Sequence, residues 1–330
     1  MKMLRRTGLG LLMGAALLAP TPSPAGPALV FEPYNGTVFY AEDPDRLWFP
    51  ASLTKLMTAY VAFQAVKSGK VKMDDNVVCS KKASIQAPTK LGLPVGGSIT
   101  LETALKVLIV KSANDVAVMI AEKVGGSEEA FVGEMNAAAK SLGMQRTRFA
   151  NPNGLPNEHQ VSTARDLAKL TRAIIVEFPE YADMFSLGSV QVGKKVMRSH
   201  NGLLRTFQGA DGMKTGFICD SGFNVVASAT RDGRRLVAVV LGEPSVATRS
   251  DRAANLLENG FKRYFWKSVF GTTVDGLAVQ ASLTSEPAHL REDVCGAGRI
   301  KRAQERKQRV SRKQRVSRQS TSQSSRVSAR

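Results

Sequence analysis

Hydrophobic and polar positions along the chain follow two different periods. Near the amino end, Ala28 to Phe31 and Thr37 to Tyr40 are short runs suited to strands, and they flank Tyr34-Asn35-Gly36; this spacing predicts a β-hairpin. From Ala51 to Val66, Leu53, Leu56, Met57, Tyr60, Val61, Phe63 and Val66 give apolar cover on nearly every side, up to a stop at Ser68-Gly69. That pattern predicts a helix buried all round rather than one lying on a surface. The stretch from Val71 to Ile99 is mixed, with Gly92, Pro94, Gly96 and Gly97 marking loops around short strands. Apolar helices are predicted over Thr100–Val110 and Val116–Val124, and further helices over Glu128–Leu142 and Thr163–Phe178, the last ending at Pro179. Beyond it the pattern returns to strands at Val190–Met197, Gly212–Ile218, Phe223–Thr230 and Leu236–Leu241. Asp232-Gly233 joins the last two as a hairpin, and Arg252 to Phe265 predicts a closing helix. Strands at both ends with helices between them predict an α/β (α+β) fold. Its antiparallel sheet is built from N- and C-terminal strands and covered by helices, with a helical lobe.

The two termini change the picture. Lys2, Arg5 and Arg6 precede an apolar run from Leu9 to Ala19 and then Ser23-Pro24-Ala25. This is the pattern of a secretory signal over 1–25, cleaved after Ala25, and the run is too short for a spanning helix. A retained anchor is the alternative. The mature protein is therefore expected outside the cytoplasm, in the periplasm or cell envelope, soluble or peripherally attached. One folded domain is expected over 26–270, followed by a short extension over 271–298 and a tail over 299–330. The formal net charge is +18, yet the tail alone holds 12 lysines and arginines against the single acid Glu305. It repeats Lys-Gln-Arg-Val-Ser-Arg at Lys307–Arg312 and Lys313–Arg318 before turning serine-rich, a composition that predicts a disordered, solvated segment. Electrostatic contact with an anionic membrane or wall and an uninvolved solvated tail are both open. Nucleic acid is excluded as a partner, because export removes it and the tail has no aromatic residue to stack on bases.

Three short polar groups stand out against the apolar background. Lys55 is the only charge in the buried helix, and desolvation favours a neutral amine there, which is a base. Ser52 lies three residues earlier, on the same face and in the first turn, where free N–H groups and the helix dipole favour negative charge on its oxygen. On this spacing alone, a capping Ser52 with Lys55 reaching to solvent is the competing reading. Ser112-Ala113-Asn114 interrupts two apolar helices and projects short polar side chains from a braced connection. Ser199-His200-Asn201 is a second match, but it follows a strand-like run, so Ser112 is preferred. Lys214-Thr215-Gly216 lies on or beside a strand, where a cation, a hydroxyl and an approachable backbone make a seat for a carboxylate. His159, His200 and His289 are too few and scattered for a metal site or a histidine-based triad, and His200 is the one that could lie near a cleft. Of Cys79, Cys219 and Cys295, the last two are expected to pair and clamp the extension near the Lys214 motif.

In this order and rough spacing, Ser52-Leu53-Thr54-Lys55, Ser112-Ala113-Asn114 and Lys214-Thr215-Gly216 resemble the motifs of serine penicillin-binding proteins and class A β-lactamases. The local sequence at Pro50–Ala59, Asn151–Leu155, Ser162–Leu167 and Asp211–Ala229 is similar, more narrowly, to the D-alanyl-D-alanine carboxypeptidases of the low-molecular-mass penicillin-binding proteins, serine peptidase family S11. The likeness runs from Leu29 to Phe261. It implies a β-lactamase/transpeptidase-like fold and a serine peptidase acting on peptidoglycan stem peptides, with β-lactam antibiotics as inhibitors and neither cofactor nor metal. In that scheme Ser52 attacks the carbonyl between two terminal D-alanines and Lys55, neutral through burial and nearby Lys214, takes its proton. Backbone N–H groups of Ser52 and Phe217 form the oxyanion hole, and Ser112 relays a proton to the leaving amine. Asn114 holds the substrate amide, Lys214 and Thr215 hold its terminal carboxylate beside Gly216, and Arg249 matches a family arginine that assists them. Class A enzymes carry a Glu-x-x-x-Asn loop between the second and third motifs, and no such pattern occurs between Asn114 and Lys214. Slow deacylation, and so a penicillin target rather than a β-lactamase, is expected. A catalytically silent scaffold would require loss of Ser52, Lys55 or Lys214, and all three are present.

Overall fold

Ala28 to Phe31 forms strand β1 with all four residues buried, because both faces of the sheet at this position are covered by helices. The chain turns through Tyr34-Asn35-Gly36 and returns as β2 (Val38–Glu42), paired antiparallel to β1. In the computed structural model, which describes residues 26–279 and 286–298, the expected signal over 1–25 and the tail over 299–330 lie outside the described residues. A short 3₁₀ turn at Ala51–Leu53 runs directly into α1 (Thr54–Lys67). Eleven of the 14 residues of α1 are buried, so it is the central helix that its apolar cover predicts.

The mixed stretch resolves into β3 (Asn76–Val78), α2 (Lys81–Ser84) and β4 (Ser98–Thr100), with β3 and β4 paired antiparallel. Thr100 caps α3 (Leu101–Val110) through the Thr103 N–H. Next come α4 (Asn114–Gly125), α5 (Glu128–Ser141), α6 (Ala164–Glu177) and α7 (Ala182–Ser186). The run Val190–Met197 is not one strand. It is a hairpin, β5 (Ser189–Val192) and β6 (Lys195–Arg198), because Gly193 takes φ +56° and reverses the chain. After α8 (Leu203–Thr206), β7 (Ala210–Ile218), β8 (Gly222–Arg231) and β9 (Arg234–Glu243) form a meander. Its second turn places Asp232 and Gly233 both at positive φ, as a two-residue hairpin demands. The closing helix α9 (Val246–Lys262) starts earlier than its apolar spacing suggested, because Ser245 and Thr248 make a reciprocal capping box. It breaks at Arg263 and resumes as α10 (Tyr264–Phe270), and α11 (Arg291–Val294) lies in the extension.

The main sheet has the order β2-β1-β9-β8-β7, antiparallel throughout, so both chain ends contribute and β7 is an edge. Alternation along β1 divides the core. Leu29 and Phe31 join Leu56, Met57, Tyr60 and Phe63 of α1 in the larger cluster, whereas Ala28 and Val30 join Ala253 and Leu257 of α9 on the opposite face. The extension returns to the domain. Val38 N–H donates to Thr272 O at 2.8 Å, and Arg165, in a buried ion pair with Asp45, also donates to the carbonyls of Val274 and Leu277. Cys219 and Cys295 form a disulfide with 5.7 Å between Cα atoms, the pairing expected, and Cys79 is free and buried.

Candidate active site

The cleft lies where the start of α1, the α3–α4 connection and the edge strand β7 converge. Asn224, buried on β8, fixes the approach to α1: its Nδ2 donates to Phe49 O at 3.0 Å and Pro50 O at 3.3 Å, and its Oδ1 accepts from Gly242 N–H at 2.9 Å. Ala51 is then left-handed at φ +50°, a conformation that costs a non-glycine residue about 1–2 kcal/mol. Such strain is kept where packing over-determines the backbone. Gly216 of β7 supplies that packing. A Cβ there would lie 2.9 Å from Pro50 O and 3.1 Å from Ser52 N, so only glycine lets the strand approach this closely.

Lys55 is 1% exposed, and its Nζ lies 3.0 Å from Ser52 Oγ and 2.7 Å from Asn114 Oδ1, with a further short hydrogen bond to the Asn153 carbonyl. Burial and then the nearby charge of Lys214 push its amine well below the ordinary lysine range, against a smaller opposing pull from Asp115. A neutral amine has two N–H donors and one lone pair. Asn114 Oδ1 and the Asn153 carbonyl take the donors, which leaves the lone pair for the Ser52 hydroxyl. Lys214 is also buried, and burial together with the Arg249 charge brings its amine down to about 7. Its Nζ donates to Thr215 O at 2.9 Å. Both lysines sit behind the wall of a cleft of about 400 Å³ that is lined by Ser52, Ser112, Asn114, Thr215, Gly216, Phe217 and Arg249.

Ser112 also adopts a left-handed backbone, φ +61°, and its buried Oγ has no hydrogen-bond partner among the described residues. Segment 86–92 braces it. Thr89 Oγ1 donates to Ser112 O at 2.8 Å, Asn114 N–H to Thr89 O at 2.7 Å and Asn114 Nδ2 to Ala87 O at 2.9 Å. Arg249 reaches the cleft from α9, 4% exposed and lowered to about 10 by burial, with Nη2 3.4 Å from His200 O. It is thus not a surface residue. His200 lines the cleft, and burial, followed by the charges of Lys214, Lys111 and Arg249, holds its imidazole below the usual value.

Some groups at the site were not singled out in the sequence. Asn153 contributes a carbonyl, invisible in a pattern of side chains. Gly154 follows at φ +80°, and a Cβ there would stand 2.0 Å from Ala51 O. Asp115, 1% exposed, accepts from the N–H groups of Leu91 at 3.0 Å and Gly92 at 2.8 Å. The signals that were available are the Asn-Pro-Asn-Gly turn and a carboxylate next to Asn114.

The site sets a serine hydroxyl against a buried lysine amine, and the relatives of the chain share this chemistry at the level of family. Residues 18–245 match the D-alanyl-D-alanine carboxypeptidase model of peptidase family S11. The chain belongs to this family. It is 36% identical over 274 residues to the D-alanyl-D-alanine carboxypeptidase DacC of Escherichia coli, covering 77% of this chain and 68% of the relative. It is also 36% identical over 238 residues to DacA of Haemophilus influenzae, covering 70% and 60%. The chain thus spans roughly two thirds of the length of these relatives. Among solved structures, penicillin binding protein 5 of Haemophilus influenzae superposes with a TM-score of 0.70 at 34% identity, over 74% of this S11 chain and 73% of the other. Penicillin-binding protein D2 of Listeria monocytogenes, solved in an ampicillin-bound form, gives 0.66 at 30% identity over 72% and 97%.

Proposed function

We propose that this S11 protein is a serine-type D-alanyl-D-alanine carboxypeptidase that removes the terminal D-alanine from peptidoglycan stem pentapeptides and is inhibited by β-lactams. The observation that carries this reading is the buried Lys55 amine 3.0 Å from Ser52 Oγ, where burial and the Lys214 charge favour its neutral form. Ser52 Oγ bonds to the carbonyl carbon while its proton passes to Lys55 Nζ, and the C–N bond breaks as a proton reaches the leaving amine through Ser112 Oγ. Ser112 suits that relay because its hydroxyl has no competing partner among the described residues. N–H groups of Ser52 and Phe217 stabilise the oxyanion. Asn114 holds the substrate amide, and Thr215, Lys214 and Arg249 seat the terminal carboxylate, three cationic or hydroxylic groups converging where an anion would lie. The unpaired edge of β7 lets the stem peptide add as an extended strand. Water then attacks the Ser52 ester and frees the shortened peptide. With a β-lactam the amine freed by ring opening stays attached to the acyl group and cannot depart, which slows hydrolysis of the Ser52 ester.

The amino-terminal pattern supports a location in the cell envelope. Peripheral contact with an anionic surface fits the 12 cations of the tail and the exposed Phe265, Trp266 and Phe270 of α10, close in sequence to Lys262, Arg263 and Lys267. The functional test is intact mass after brief exposure to penicillin, beside Ser52→Ala, followed by D-alanine release from a stem pentapeptide. One adduct on the unsubstituted protein only, with D-alanine released, is expected. Absence of both adduct and release would overturn the proposal in favour of a silent wall-binding relative, and rapid penicillin turnover would favour a β-lactamase.

A further inference from the structure

The chemistry above leaves one part of the cleft unused. On β7, Lys214 and Gly216 face the Ser52 side, and by alternation Thr215 and Phe217 face the side covered by α9. Phe217 is 42% exposed although it lines the cleft, and its ring stacks on that of its cross-strand partner Phe223 at 4.3 Å. Val246, in the first turn of α9 and 51% exposed, lines the same cleft, as does Ile218. Arg249 lies one helical turn after Val246, so this shelf adjoins the carboxylate seat of Thr215 and Arg249. Large apolar side chains left open inside a cleft, next to the polar groups that orient a ligand, are the usual composition of a binding pocket.

Resting on the carboxypeptidase reading, we infer that Phe217, Phe223 and Val246 form an apolar subsite for the side chain of the leaving C-terminal residue. The seat and the shelf lie on one face of β7, so a residue whose carboxylate is held by Thr215 and Arg249 carries its own side chain within reach of the stacked rings. An alanine methyl would leave most of the shelf wet. The chemical class it fits is therefore a D-residue with a medium-sized aliphatic side chain, and the enzyme would trim stems ending in such residues as well as those ending in D-alanine. An acidic or cationic side chain gains nothing there and loses hydration.

The test measures kcat/KM of the full chain for stem peptides ending in D-alanine, D-leucine or D-glutamate. The expected result is D-leucine release at least as efficient as D-alanine release, with D-glutamate well behind. Phe217→Ala and Val246→Ser should each lower the D-leucine to D-alanine ratio, Phe217→Ala by about tenfold, as for lost methylene contacts in an apolar pocket. The ratio cancels any loss common to both substrates, including a displaced Phe217 N–H. D-alanine release with strong rejection of D-leucine, or an unchanged ratio in both variants, overturns the subsite and leaves the carboxypeptidase reading intact. No release of any residue overturns both.

Discussion

Gly154→Ala tests whether the Asn153-Gly154 segment sets the geometry of the nucleophile. A Cβ at 154 would lie 2.0 Å from Ala51 O, 2.4 Å from Ala51 C and 2.9 Å from Ser52 N, where ordinary contact begins near 3.4 Å. Relief requires the two segments to part by more than about 1 Å, and a displacement of that size at a reacting group costs on the order of 100-fold in rate. The left-handed φ of +80° adds about 1–2 kcal/mol, and overpacking adds about 1–3 kcal/mol, for a loss of roughly 2–5 kcal/mol in stability. Gly209→Ala is the control. It has φ +78° and a Cβ position 2.3 Å from Thr230 O, but it lies before β7, at the other end of that strand from Gly216 and the cleft. The assay is the second-order rate of acylation by a fluorescent penicillin, beside thermal unfolding, at a temperature where both variants are folded. Both should be destabilised by similar amounts, and only Gly154→Ala should lose acylation by about two orders of magnitude. Wild-type acylation in Gly154→Ala, or an equal loss in Gly209→Ala, would refute the positioning role.

Three further outcomes follow from the buried charges and the cysteines. Lys214 titrates near 7 in the folded chain against about 10.5 unfolded, so between those values the unfolded state binds the extra proton and stability rises with pH. Lys214→Met should lose that slope and melt higher at neutral pH while acylation is lost; in the unsubstituted enzyme kcat/KM should fall as pH rises through about 7, because the carboxylate seat loses its charge. Thiol counts on the denatured chain should give one without reductant and three with it, since Cys219 and Cys295 are joined and Cys79 is free; three thiols before reduction would contradict the tether.

Much of the site was legible because its chemistry demands unusual residues in ordinary patterns. A single lysine inside an otherwise apolar helix is conspicuous, and so is Ser112-Ala113-Asn114 between two apolar helices. The strands at both chain ends could be read from period and turn residues, and the central position of α1 from apolar cover on every side. What could not be read was carried by the backbone. The Asn153 carbonyl that accepts from Lys55, the left-handed Ala51 and the close approach of Gly216 depend on segments roughly 100 to 170 residues apart meeting in three dimensions. Asp115 was passed over because a carboxylate at a helix start is commonplace as a dipole partner. Only the fold reveals that it is buried and spends its oxygens on segment 86–92. The split of Val190–Met197 and the early start of α9 were missed for a local reason: Gly193 and Ser245 set boundaries that apolar periodicity does not register.

The fold explains why two lysines can be buried in one site at all. Each is destabilised as a cation by burial, and Lys55 feels the charge of Lys214 as Lys214 feels that of Arg249. From the guanidinium at the cleft, still about 10, the chain of charges passes to the Lys214 amine near 7 and on to the Lys55 amine, held well below the ordinary lysine range. Burial and the neighbouring charge thus favour the neutral amine beside Ser52, while the guanidinium keeps its positive charge at the cleft, where a carboxylate would sit. The elements that carry these groups come from opposite ends of the chain, Lys55 on α1 and Lys214 and Arg249 on β7 and α9. They meet because β1 pairs with β9. Breaking that pairing would do more than unfold a sheet edge, since it would separate the charges that make Lys55 a base. Loss of sheet integrity and loss of acylation should accordingly occur together along a denaturant titration, whereas fraying of α10, which packs on β2 at the sheet edge opposite β7, should leave acylation in place.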